Sequence, residues 1–68
     1  MEIRFYTKGE MAAEVLPHIS KASAVNRLIF WINHNPQLLQ ELKNLGYNKN
    51  QKYFTPPQVK AIVERLVL

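Results

Sequence analysis

Cysteine is absent from this chain, which excludes disulfide staples and thiolate zinc sites. That absence fits a reducing compartment, where thiol oxidation is not available as a stabilising device. Aspartate is absent too, and the five acids are glutamates spread over separate segments, so no spacing spells a paired-carboxylate site. Neither glycine lies in a phosphate-cradling loop, and Ser23 stands in no nucleophile-elbow motif. The two histidines, His18 and His34, lack the HExxH arrangement and have no second metal ligand nearby. Thr7, Ser20 and Thr55 all have structural uses as helix caps. The expectation is therefore a non-enzymatic protein with no metal, cofactor or small-molecule substrate.

Long hydrophobic runs are missing as well. No stretch approaches the roughly 18 unbroken apolar residues of a membrane span, and the opening MEIRFYTKGE contains no secretory hydrophobic region. A cytoplasmic location with no membrane role is expected. Repeats and low-complexity tracts are absent.

What is present is short and basic. The 68 residues suffice for one domain. A chain of this length buries only about 60% of the surface it exposes when unfolded, so its core is thin and self-association is an open route to further burial. Nine Lys or Arg against five Glu give a net charge of +4. Between Lys21 and Lys60 lie Arg27, Lys43, Lys49 and Lys52 with a single acid, Glu41. Such a segment favours a polyanion or an acidic protein face.

Local signals divide the chain into four helices. Residues 2–6 alternate, with Ile3 and Phe5 apolar, and read as an extended segment laid against the core. Thr7 to Glu10 has the spacing of a capping box, opening a helix over Lys8–Leu16 that turns Met11, Ala12, Val15 and Leu16 inward and stops at Pro17. Gly9 in its first turn weakens it. Ser20 caps a second helix over Lys21–Asn33 with an apolar stripe of Val25, Leu28, Ile29 and Ile32. Phe30 and Trp31 extend that stripe around the circumference. Asn35-Pro36 starts a third helix carrying Leu38, Leu39, Leu42 and Leu45 and ending at Gly46. From Tyr47 to Phe54, aromatic ends flank a polar middle, which predicts a hairpin turning near Lys49-Asn50-Gln51. Thr55-Pro56-Pro57-Gln58 is a second capping box, opening a last helix with Val59, Ile62, Val63 and Leu66 on one face.

Three surfaces are candidates for function. The outward face of the second helix gathers Ser23, Asn26, Arg27, Phe30 and His34. Arg and Asn can pair bidentately with guanine and adenine edges, and Phe can meet a thymine methyl. The plainer reading of the same face has Arg27 solvated and Phe30 filling an intramolecular contact or, with Trp31, a dimer or partner contact. His34 also suits a helix C-terminus, where a cationic ring meets the macrodipole. The turn offers Lys49 and Lys52 as phosphate contacts in the manner of a basic wing, or simply as solubilising charge. The third helix offers Gln37, Gln40, Lys43 and Asn44. If the second and third helices form the helix-turn-helix, these side chains become the readers instead. Leu39 adjoins that face and is a candidate to join Phe30 in a dimer contact.

Tyr6-Thr7-Lys8-Gly9-Glu10-Met11-Ala12 resembles the opening of excisionase and MerR-type domains, where it begins a helix-turn-helix. Ser20 to Ile32 is similar to their DNA-reading helix, including the Trp31-Ile32 pair, and the hairpin with Phe54-Thr55 resembles their wing and closing helix. The third helix is an extra element in that scheme. A closer resemblance runs along nearly the whole chain, through YTKGEMA, Pro17, AVNRLIFWI, the leucine-rich helix ending in Gly46-Tyr47, FTPPQV and IVERL. It is to a family of short gut-bacterial proteins classed as a domain of unknown function. These likenesses imply a mainly α, four-helix, helix-turn-helix-like domain with a short β-hairpin, or wing, before the last helix. Residues 1–68 would form a single winged-helix-like unit. The implied role is binding of duplex DNA in regulation or in association with mobile elements, with a homodimeric protein-interaction module as the alternative.

Overall fold

In the computed structural model, residues 2–66 are described, and the first helices begin at their capping side chains. Strand β1 (Tyr6–Thr7) leads directly into α1 (Lys8–Val15). Thr7 Oγ1 accepts from the Glu10 N–H at 3.0 Å while the Glu10 carboxylate accepts from the Thr7 N–H at 2.9 Å. Two N–H groups that the helix geometry leaves without partners are thus satisfied reciprocally. After Pro17, Ser20 Oγ accepts from the Ser23 N–H and opens α2 (Lys21–Asn33). Asn35 Oδ1 accepts from the Leu38 N–H to open α3 (Pro36–Asn44), with proline at the first helical position. Strand β2 (Tyr53–Phe54) precedes α4 (Pro56–Leu66). The protein is mainly helical, with four helices and a short antiparallel strand pair whose second strand lies just before the last helix.

Helix α3 ends on Gly46 at φ 87°, a left-handed conformation that costs a residue with a Cβ about 1–2 kcal/mol. There the Gly46 N–H donates to the Lys43 carbonyl at 3.0 Å and the Tyr47 N–H to the Leu42 carbonyl at 2.8 Å. These two bonds satisfy carbonyls that the last turn would otherwise leave bare.

The strand partner is the main departure from expectation. β2 pairs with β1 in the register Tyr6↔Phe54 and Thr7↔Tyr53, rather than with the chain just before the turn. Tyr47 is already committed: its N–H closes α3, and its ring stacks on Phe54 with centroids 6.0 Å apart and planes 7° from parallel. The expected turn does form, held by Gln51 N–H to the Asn48 carbonyl at 3.0 Å and Asn50 N–H to Asn48 Oδ1 at 2.9 Å.

All four helices feed one core: Met11 and Ala12 from α1, Ala24, Leu28 and Ile32 from α2, Leu38 and Leu42 from α3, Val59, Ala61 and Ile62 from α4. The side chain of Leu66, expected on the same face of α4, lies outside the described residues. Tyr6 and Phe54 seal the core from the strand side. The inward stripe of α2 is therefore centred on Ala24, Leu28 and Ile32, with Val25 and Ile29 half-buried beside it. The leading segment has the opposite phase from the one expected. Ile3 and Phe5 are 46% and 58% exposed, and Tyr6 is the buried residue at 2%. Tyrosine wins because its polar tip is met: the hydroxyl donates to the Glu2 carbonyl at 2.9 Å, and Arg4 lies 3.9 Å from the ring centroid. A ring so provided can be buried without an unsatisfied hydroxyl.

Gln58 is a buried polar side chain that ties three segments together. Its Oε1 accepts from Gln51 Nε2 at 2.7 Å and from the Thr55 N–H at 3.1 Å, and its Nε2 donates to the Leu45 carbonyl at 3.2 Å. The turn, the end of α3 and the start of α4 are thereby joined. Helices α1 and α2 pack together more extensively than any other pair. At their shared end, Gly9 leaves room for the Lys21 side chain, into which any Cβ would run. Among the described residues, no helix is long and apolar enough to cross a membrane.

Candidate nucleic-acid interface

The face of α2 turned away from the core is built by its inner stripe. Burial of Ala24, Leu28 and Ile32 fixes the helix rotation, and the 3.6-residue period then sends Ser23, Asn26, Arg27 and Phe30 to solvent. Ser23, Asn26 and Arg27 line a shallow open groove together with Phe30 and Trp31. Helix α2 contains no carboxylate. Among the described residues, the side chains of Asn26 and Arg27 form no hydrogen bond or ion pair. A guanidinium and an amide thus stand free for bidentate contacts, borne on adjacent residues whose backbones are about 1.5 Å apart along the helix axis.

Phe30 is 55% exposed and is held in place by His34. The two rings stack with centroids 3.9 Å apart and planes 20° from parallel. His34 Nδ1 lies 2.9 Å from the Phe30 carbonyl oxygen, and since a carbonyl only accepts, Nδ1 carries a proton. His34 is also the C-cap residue of α2. It serves the helix end and the pose of Phe30, while its Nε2 remains directed elsewhere. Trp31 is half-buried along the groove, and Leu39 is half-buried against the core, so Leu39 adds less to an outer contact than Phe30 does.

Lys49 and Lys52 lie on a different element. Both belong to the turn that docks on the start of α1: the Lys8 ammonium donates to the Lys49 carbonyl, and the Lys8 N–H donates to the Lys52 carbonyl at 3.3 Å. Lys8 therefore joins Lys49 and Lys52 in one exposed basic group. Lys21, lying over Gly9, carries positive charge from that end onto the first turn of α2. Arg27 is about 9 Å further along the α2 axis at 1.5 Å per residue. Lys8 escaped the reading of the sequence because its neighbours in space are distant in the chain, and Lys21 figures there only as part of the basic segment. Glu10 is the acid at this end, and its carboxyl is held below its usual value chiefly by the Thr7 N–H, with Arg4 and Lys21 contributing.

Helix α3 offers a contrasting surface. Its polar side, with Pro36, Gln37, Gln40, Glu41 and Asn44, is joined by Arg65 from α4. Arg65 Nε and Nη2 each lie 3.0 Å from Glu41 Oε2, Arg65 Nη1 donates to Gln37 Oε1 at 3.3 Å, and Gln40 Nε2 donates to Asn44 Oδ1 at 3.0 Å. Readers on α3 would have to break these bonds first. Among the described residues, no group of three or more His, Cys, Asp or Glu side chains is placed to hold a metal ion.

Fold and surface together define a small, mainly helical domain with a carboxylate-free, solvent-facing α2 and a basic turn beside α1. The chain belongs to the family described as domain of unknown function DUF4248, whose model matches residues 2–67. No curated protein and no solved structure matches it.

Proposed function

We propose that the protein is a cytoplasmic duplex-DNA-binding module of the helix-turn-helix kind, with α1 and α2 as the paired helices and α2 as the reader. It would serve local regulation or mobile elements. The observation that carries the reading is the outer face of α2, where Ser23, Asn26 and Arg27 are exposed, free of carboxylates and uncommitted within the chain. A helix about 10–12 Å across fits a major groove about 12 Å wide. Arg27 and Asn26 suit base edges, Lys21, Lys49 and Lys52 suit phosphates, and Phe30 suits a thymine methyl. The antiparallel clasp of β1 on β2 supports this by fixing the basic turn against the start of α1.

The test is fluorescence anisotropy with a labelled 20-bp duplex pool at low salt. Non-specific affinity in the range of roughly 10⁻⁴–10⁻⁶ M is expected, falling steeply as salt rises. Arg27→Ala should weaken a selected site by about 5- to 150-fold, and Lys52→Ala should weaken all duplexes alike and flatten the salt slope by about one. Absence of any binding at low salt overturns the proposal.

A second reading rests on Phe30, whose exposed ring stacks on His34. An exposed aromatic beside Trp31 is the kind of anchor that protein contacts use, and a homodimer through this face would bury both. Sedimentation of a strict monomer at high concentration excludes it.

A further inference from the structure

The outward side of the β1–β2 ribbon carries an aromatic pair that the α2 reading does not use. Tyr6 and Phe54 are register partners and both are buried. Phe5 precedes the first and Tyr53 precedes the second, so period-two alternation turns both outward. They are among the most exposed large hydrophobic residues of the protein, at 58% and 55%. With Thr7 opposite Tyr53, Phe5 and Tyr53 are diagonal neighbours across the ladder, a spacing of about 7–8 Å that lies within reach of aromatic side chains. Lys8, Lys49 and Lys52 come together at one end of this ribbon, where the Lys8 ammonium and N–H donate to the carbonyls of the other two. The nearby carboxylates are engaged: Glu10 accepts from the Thr7 N–H at 2.9 Å, and Glu2 pairs with Arg4 at 3.6 Å.

We propose that this ribbon is a stacking platform for single-stranded nucleic acid, with unpaired bases on Phe5 and Tyr53 and the strand's phosphates on Lys8, Lys49 and Lys52. Flat rings flanked by ammonium groups match a single strand, which offers base faces and a regular anionic backbone together. A duplex hides those base faces within its stack. A second copy of the chain docked here would set like lysines against one another, which the charge opposes. The aromatic platform is distinct from the α2 face, although Lys49 and Lys52 are shared with the phosphate contacts proposed for the duplex.

The test uses the full chain and a fluorescein-labelled dT15, alongside an abasic 15-mer of the same charge and a 15-bp duplex. Binding of dT15 at low salt is expected, with a log–log salt slope of about −2, as three neutralised phosphates on a single strand require. The abasic strand should bind about tenfold more weakly or worse, and Phe5→Ala and Tyr53→Leu should each lose roughly 5- to 150-fold toward dT15. Both sites are exposed, and Tyr53→Phe should restore stacking in a chain whose circular dichroism matches the parent. Arg27→Ala should leave dT15 affinity unchanged, so failure of the α2 reading and failure of this one are told apart. Equal affinity for dT15 and the abasic strand overturns the proposal, as does indifference to Phe5→Ala and Tyr53→Leu.

Discussion

Helices α2 and α3 are both capped by a short polar side chain, both send aliphatic residues into the same core, and both turn a polar face to solvent. Their outer faces differ in what is already bonded. On α3, Gln37, Gln40, Glu41 and Asn44 are engaged with one another or with Arg65. On α2, Ser23, Asn26 and Arg27 line open space and no acid is present on the helix. A polar face spent on internal bonds contributes a little to stability, whereas an uncommitted one gives up only its hydration and side-chain freedom when a partner engages it. The difference is the reason for proposing α2 rather than α3 as the binding helix, a choice that charge and periodicity had left open.

The largest expected effect tests the common base of the comparison. Leu28 on α2 and Leu42 on α3 are both fully buried, so Leu28→Ala and Leu42→Ala should each lose about 2–5 kcal/mol in urea unfolding. A cost for Leu28→Ala below about 1 kcal/mol would mean that α2 is loosely seated. Its outer face could then not be treated as a fixed surface.

A smaller effect sits where α3 stops. Gly46→Ala should cost about 1–2 kcal/mol, because φ 87° is strained for any residue with a Cβ although open space surrounds the position. The end of α2 uses no glycine, since His34 closes it with its own ring nitrogen on the Phe30 carbonyl. His34→Ala should therefore leave the fold standing while freeing the Phe30 ring, which nuclear magnetic resonance would report as loss of the ring-current shifts between the two residues.

Signals of this local kind were legible in the sequence. Thr7 with Glu10, Ser20, Asn35-Pro36 and Gly46 each act within four residues, so their chemistry is readable from spacing alone. What escaped was set by contacts distant in the chain. The partner of β2 is β1, across most of the molecule, and only the commitment of Tyr47 to the end of α3 and to Phe54 explains why the nearer pairing fails. The inward turn of Tyr6 depended on Glu2 and Arg4 meeting its polar tip and its ring. Gln58 could be read as a cap, but its burial required Leu45, Gln51 and Thr55 to converge on it. At the candidate interface, Arg27 and Asn26 were legible from helical period. The joining of Lys8 to Lys49 and Lys52 was not, because it follows from strand pairing.

Arg65 sharpens the contrast further. Its bridge to Glu41 is partly exposed on both sides, so Arg65→Ala should cost at most about 1 kcal/mol. The same change would release Gln37 and Glu41 from their partner. If uncommitted amides were enough for binding, this variant would gain duplex affinity through α3. The expectation is no gain, because Glu41 remains and repels phosphate.

The smallest effect concerns the helix starts. α1 has an acid in its first turn and α2 has none. The Glu10 carboxyl is held below its ordinary value of 4.5 chiefly by the Thr7 N–H. Its folded-state value is therefore depressed relative to the unfolded chain, so its contribution is fully present above the unfolded value and is lost as pH falls through the folded one. Acidification below about pH 4.5 should open the α1 box and leave the Ser20 cap of α2 intact, since a hydroxyl does not titrate there. Amide exchange read at both helix starts would show protection falling first at Thr7, whose N–H donates to the Glu10 carboxylate, and Glu10→Gln, which keeps an acceptor for that N–H, should remove the pH dependence while retaining most of the protection. Equal loss at both helix starts would show that their chemistry is not the distinction drawn between them.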